Sequence, residues 1–248
     1  MIVEWLPDGL SLGAFWAVLA GSFVASFITA AFGIGGGALL LALMASLVPP
    51  AALIPVHGVV QLGSNAGRMV LMLRAVYWPA LPLFAVGSVI GAGLGGAVVV
   101  ELPPQFVQIG IGLFVIYAVW ARPPAWLGRW PGITGAVSSF LTMFFGATGL
   151  FVASFTKSLT LPRHGHVATH AALMTVQHCL KVVVFGLLGF AYGAWLWVIV
   201  AMIAVGVIGT LAGGLILNRL SDRHFRGALD ALLVLISLRL IWNGIAGL

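Results

Sequence analysis

Two sets of polar residues interrupt otherwise apolar stretches of this chain. His57, Gln61, Asn65 and Arg68 are spaced by four, four and three residues, so a helix carries them on one face. His170, Gln177, His178 and Lys181 form a second, slightly wider stripe. Amides and imidazoles can hydrogen-bond a desolvated oxyanion, and Arg68 and Lys181 can attract one by charge. Histidine titrates near physiological pH, so His57, His170 or His178 can couple anion movement to protons, and a coupling proton or ion is the expected second partner. Blander roles stand beside these: a lone histidine often serves packing, and Arg68 can snorkel to a membrane surface. His164, His166 and His170 cluster in sequence, but no carboxylate or thiol accompanies them, so no metal is expected. Paired acids, a His-Glu-x-x-His helix and a Ser-His-Asp set are all missing at plausible positions, which argues against an enzyme. No catalytic residue and no cofactor is therefore assigned. The absence of Gly-x-x-x-x-Gly-Lys-Ser/Thr argues against ATP-driven transport by this chain.

The elements that position these groups must lie in a membrane. Of 248 residues 62% are hydrophobic and 6% charged, against about 25% charged residues in soluble domains. That balance reads as an all-α polytopic membrane protein with the lipid bilayer as solvent. The formal charge of +6 contains no basic block, so no nucleic-acid partner is expected. A spanning helix needs about 20 mostly apolar residues, and six segments fit: 53–73, 76–100, 104–121, 167–188, 195–217 and 225–245. Two further stretches, 12–48 and 133–159, are split by glycine-rich breaks at Gly33-Ile34-Gly35-Gly36-Gly37 and Gly146-Ala147-Thr148-Gly149. Glycine costs about 1 kcal/mol in a helix interior, so both breaks should unwind. Unwound backbone at membrane depth requires surrounding protein or a water-filled cavity.

The chain also repeats itself. Val24–Gly33 aligns with Val137–Gly146, and the same offset pairs Pro49 with Pro162, His57 with His170, Asn65 with His178 and Arg68 with Lys181. Ile90-Gly91 and Gly95-Gly96 then match Ile208-Gly209 and Gly213-Gly214. Apolar segments aligned by chance would not also align prolines, histidines and cations. The expected organisation is a first repeat over 1–121, a linker over 122–131 and a second repeat over 132–248. Each repeat is a Gly-broken, re-entrant helical hairpin followed by three transmembrane helices.

Charge orients the repeats. The second-half arms, 133–145 and 150–158, are about 20 and 14 Å long, too short for a hydrocarbon core of about 30 Å. Three crossings per half invert the second half relative to the first. With the N-terminus outside, Arg74, Arg122, Arg129, Lys157, Arg163, Arg219, Arg223 and Arg226 are all cytoplasmic, while Glu4, Asp8 and Glu101 are external. This satisfies the positive-inside rule better than eight simple spans, and it places the chain as a multi-pass protein of the cell (inner or plasma) membrane.

Inverted repeats with broken helices near the midplane recur among secondary transporters. Short helices are expected after each break, over 38–48 and from Leu150. Their first N–H groups lack intrahelical partners and favour an anion. Gly33, Gly35, Gly36 and Gly37 let a substrate approach the backbone, and Gly146, Thr148 and Gly149 form the second tip, with Thr148 as a hydroxyl donor. Close helix packing is the competing explanation, and it is preferred for Gly87, Gly91, Gly95 and Gly96. Gln61, Asn65, Gln177 and His178 fall closest to mid-span.

A Gly-x-Gly-Gly-Gly break after an apolar helix, a proline about a dozen residues later, and a degenerate second copy resemble the sulfite exporter TauE/SafE family. The resemblance runs from about Gly21 to Leu248, and Phe32-Gly33-Ile34-Gly35-Gly36-Gly37 is its most specific part. It implies a permease of small sulfur-containing anions, such as sulfite, sulfoacetate or taurine-related sulfonates. Gly146-Ala147-Thr148-Gly149-Leu150 departs from the glycine-rich pattern, which argues against equal use of both tips. Together these features predict a secondary active transporter exporting a small anion by alternating access, with an anion channel as the alternative and an intramembrane enzyme as the weaker one.

Overall fold

The computed structural model describes residues 6–32, 35–99, 103–120, 129–146, 148–216 and 222–247, without side-chain detail at 104, 216, 222–226, 228, 229 and 232. Gly33, Arg122, Arg219, Glu4 and Glu101 therefore lie outside the described residues, as do the side chains of Arg223 and Arg226 and most of the 122–131 linker. The described residues form helices α1 (Leu12–Phe32), α2 (Gly36–Ala45), α3 (Pro50–Leu71), α4 (Leu81–Val99), α5 (Pro104–Trp120), α6 (Pro131–Phe145), α7 (Gly149–Ser158), α8 (Arg163–Leu187), α9 (Leu196–Ile216) and α10 (Asp222–Ala246). The chain is an all-helical, polytopic membrane protein. Its outer surface is apolar, with Leu83, Val86, Ile90 and Leu94 of α4 exposed, whereas His57, Asn65, Arg68, Gln177 and Lys181 are buried. Lipid reverses the usual incentive: apolar side chains can face outward, and ionisable groups in spans face the bundle interior.

Each segment expected to span is helical, with shifted ends. Helix α4 starts at Leu81, and Leu73–Ala75 and Trp78–Ala80 are short 3-10 turns. The chain is open at Tyr77, with φ -82° and ψ 85°, and Pro79 sits at the start of the turn that follows, where its missing N–H costs nothing. Proline also marks two starts: Pro49 and Pro162 are the N-caps of α3 and α8. Among the described residues four helical stretches have the length and hydropathy to cross a bilayer: Leu12–Phe32, Trp78–Val99, Arg163–Leu187 and Tyr192–Leu215. Helix α1 is long enough to cross by itself, unlike the arms of the second broken stretch. The chain stays helical for 21 residues before the first break, about 31 Å, whereas α6 and α7 have 15 and 10 residues.

Both glycine-rich breaks separate two helices. Gly35 takes φ +106° between α1 and α2, and Gly146 takes φ +69° between α6 and α7; both values lie where only glycine is unstrained. The first break is narrower than its glycine count suggests. Gly36 and Gly37 are already helical, because Leu39 N–H closes on Gly35 O at 3.1 Å and α1 packs against the turn.

Packing joins the two halves rather than separating them. Helix α1 lies along α9, α4 along α6, α5 along α10, and α3 crosses α8 at the centre. Exchanging α1–α5 for α6–α10 leaves this set unchanged. Glycines carry the close approaches: a Cβ on Gly91 would overlap Ala136 O, and one on Gly209 would overlap Phe23 O. Gly95 likewise meets Phe140 O and Gly213 meets Phe27 O. The carbonyls met, 136 against 23 and 140 against 27, are offset by 113 residues, as Gly149 is from Gly36 and Arg163 from Pro50. Small residues allow such backbone contact in membranes, the role expected for Gly91 and Gly95. Aromatic packing braces the second hairpin, with Phe114 of α5 stacked on Phe145 at 4.9 Å.

Candidate functional site at the helix crossing

The site is built where α3 and α8 cross beside the two breaks. On α3, His57 Nε2 lies 3.1 Å from Gly37 O in the first turn of α2. A carbonyl can only accept, so Nε2 carries the proton and Nδ1 is left free; that Nδ1 is buried without a partner. One helical turn on, Asn65 Nδ2 donates to Gln61 O at 2.8 Å and to Gln61 Oε1 at 3.4 Å. Arg68 donates to Asn65 Oδ1 at 3.1 Å and Ser64 Oγ at 3.2 Å, and its Nε is unpaired. Ser64 in turn meets Ser26 of α1 at 3.2 Å.

The second half repeats the plan with different chemistry. His170 Nε2 donates to Gly149 O at 3.2 Å, on the first turn of α7. Gln177 Nε2 donates to Thr148 Oγ1 at 2.9 Å, and Thr148 donates to Ser138 O at 3.0 Å. The Thr148 hydroxyl is therefore spent within the protein, and the hydroxyl donor expected for a ligand is not free. Lys181 Nζ reaches Thr142 Oγ1 at 3.5 Å, while Thr142 donates to Gly146 O at 3.1 Å. The Lys181 stem crosses Gly58, where a Cβ would stand 2.8 Å from its Cε. The rings of His57 and His178 meet edge-on at 6.3 Å.

Two properties define what this arrangement can do. Arg68 is 2% exposed and Lys181 0% exposed, and every hydrogen-bond partner described for them is neutral. A buried cation without a counter-charge is costly, and an anion in the cluster would offset that cost. Helices α2 and α7 also start beside His57 and His170 with no side-chain cap, which leaves N–H groups and a positive dipole end at each start.

Residues 18–240 match the family described as Sulfite exporter TauE/SafE. The chain belongs to that family. No curated protein and no solved structure matches it. Membership makes this TauE/SafE chain one of a family of membrane transporters of sulfur anions.

Most of the expected site residues converge in this TauE/SafE protein: His57, Gln61, Asn65, Arg68, Gln177, His178 and Lys181 are buried along the two crossing helices, and Gly37, Thr148, Gly149 and His170 join them at the tips. Gly35 and Gly146 shape the turns. Gly36 faces elsewhere, since a Cβ there would overlap Ala25 O and Thr29 Oγ1 of α1; its smallness serves packing. Among the described residues no group of three His, Cys, Asp or Glu could hold a metal. Ser64 and Thr142 were missed. Ser64 lies four residues before Arg68 on the stripe's own face, and Thr142 four residues before the break at Gly146, so extending the helical spacing finds both.

Proposed function

We propose that this protein is a secondary active carrier that exports a small anion, sulfite or an organosulfonate, by alternating access around the α3–α8 crossing. The observation that carries this assignment is the pair of buried basic side chains, Arg68 and Lys181, bonded only to neutral groups among the described residues. A structural role alone gives no reason to bury two basic groups with no acid beside them. An anion entering the cluster supplies the missing charge, and the uncapped starts of α2 and α7 add donors from opposite hairpins. Sulfur as the central atom rests on family membership.

The mechanism follows from the packing. The repeats, 1–121 and 132–248, are taken as inverted, with the N-terminus outside and each break forming a re-entrant hairpin. The exchange of halves that carries the α1–α9 contact onto the α6–α4 contact supports this by relating the halves as equivalent bodies. Each hairpin is then clasped by a helix of the opposite half, and the crossing can open to either side as these pairs rock.

Counterflow of labelled sulfite and of sulfonates in proteoliposomes tests the proposal. A carrier gives saturable exchange, and Arg68→Ala reduces it by about 10- to 150-fold, the worth of a lost charge-assisted hydrogen bond of about 1.5–3 kcal/mol. Flux without saturation or counterflow identifies a channel. No flux of any sulfur anion through folded protein removes sulfur from the assignment. Inside-out and right-side-out vesicles, compared under one imposed gradient, test export.

A further inference from the structure

The two buried cations are related by the repeat but differ in chemistry and in how tightly they are held. Arg68 has two described bonds, at 3.1 and 3.2 Å. Lys181 has one, at 3.5 Å, to a hydroxyl whose proton already goes to Gly146 O. A guanidinium stays charged under any physiological condition, whereas a primary amine can exist neutral and regain its proton. The fold therefore leaves least supported the one cation that can discharge. We infer that Lys181 is the proton-coupling group of the carrier, protonated when an anion occupies the crossing and neutral when the crossing is empty.

This inference rests on the carrier assignment above. The proton comes from solvent on the side where the anion enters and joins the lone pair of Nζ as the anion arrives. It leaves to the opposite side with the anion, so one proton accompanies each anion and no bond beyond N–H is made or broken. The empty carrier then reorients with one fewer uncompensated charge, which removes a cost that would otherwise hold it still.

The groups around Lys181 fit that role. From α3, His57 faces the crossing and Arg68 lies further along the same stripe; on α8 itself, His178 is adjacent, with His170 and the partly buried His166 beyond. Helices α4 and α6, also packed on α8, carry no titratable side chain. Lys157 on α7 and Arg74 in the Leu73–Ala75 turn are exposed. No carboxylate stands among these neighbours to hold the ammonium charged. The Nδ1 atoms of His57 and His178 are buried and unpaired, so neither ring holds the Lys181 ammonium through that atom.

The chain has two lysines, Lys157 and Lys181, so NMR of full-length protein labelled with lysine carrying 13C at Cε reads the protonation state directly. Lys157→Arg assigns the two signals. Methanesulfonate is the probe, because it stays ionised near neutral pH and carries no proton of its own. Without it, the Lys181 signal is expected at the neutral-amine position; with saturating probe, it moves to the ammonium position while Lys157 stays still. In weakly buffered solution a pH dye should report uptake of about one proton per bound anion, falling to near zero per bound anion in Lys181→Met and Lys181→Arg. His57→Gln and His178→Gln should leave the ratio near one. A Lys181 signal that stays in one protonation state while the anion binds overturns the inference and leaves the carrier standing, as does proton uptake that persists in Lys181→Arg. If folded protein binds neither methanesulfonate nor sulfite, the carrier assignment fails and the inference fails with it.

Discussion

Replacing Arg68 by methionine separates a ligand-binding cation from a structural one, because the two roles predict opposite signs for stability. In the empty protein the guanidinium is 2% exposed and bonded to Asn65 Oδ1 and Ser64 Oγ. Methionine, similar in length, removes a buried charge whose effective desolvation penalty is several kcal/mol. The opposing loss is smaller. Ser64 keeps its contact with Ser26, so the main new cost is an unpaired Asn65 carbonyl, about 1–3 kcal/mol. Desolvation wins, and the empty protein should gain about 1–3 kcal/mol. At about 2–4 °C per kcal/mol for chains of this size, the midpoint rises by about 2–12 °C. Ligand protection should move the other way. Wild-type protein at about 100 times Kd gains about 2.7 kcal/mol from its anion, whereas Arg68→Met gains little at the same concentration. Thermal unfolding in detergent, scanned with and without sulfite or methanesulfonate, measures both. A lower midpoint for Arg68→Met with undiminished anion protection would refute the reasoning and make Arg68 a structural residue.

Three other outcomes follow from the same contacts. Thr148→Val should lose about 1–3 kcal/mol of stability, because the Gln177 amide loses its partner while Gln177 Oε1 is already unpaired; Gln177→Leu in that background should recover part of it, and additive effects in the double-mutant cycle would contradict the linkage. Gly91→Val and Gly209→Val should each block folding, since both side chains would occupy the space of a carbonyl on the facing helix; recovery of either as monodisperse protein in size-exclusion chromatography would show that the α4–α6 and α1–α9 contacts yield. In a Cys179→Ala background, single cysteines at Ala125 and Ser221 should both react with a membrane-impermeant thiol reagent from the cytoplasmic side only, and labelling from opposite sides would exclude inverted halves.

Much of the site is legible in sequence because a membrane makes polarity conspicuous. His57, Gln61, Asn65 and Arg68 stand out at helical spacing within apolar sequence, and ionisable groups in a span must turn inward. Their second copy, with Pro49 against Pro162 at the N-caps of α3 and α8, marks the helices that carry them. The helical, membrane-embedded class follows from composition, since a bilayer leaves backbone polar groups no partner outside a helix or a closed barrel.

Partner choice in space was beyond the sequence. A glycine without a side chain reads the same whether it serves a ligand or a neighbouring helix, and the facing Ala25 carbonyl assigns Gly36 to packing against α1. Thr148 is a free donor in sequence and a spent one beside Ser138 and Gln177. The pairing of α1 with α9 sets Gly209 against Phe23, and that of α4 with α6 sets Gly91 against Ala136, contacts between segments far apart in the chain. In lipid every outer face is equally apolar, so hydropathy cannot select a neighbour. Steric fit between small residues and facing carbonyls does, and that fit exists only once the helices are assembled.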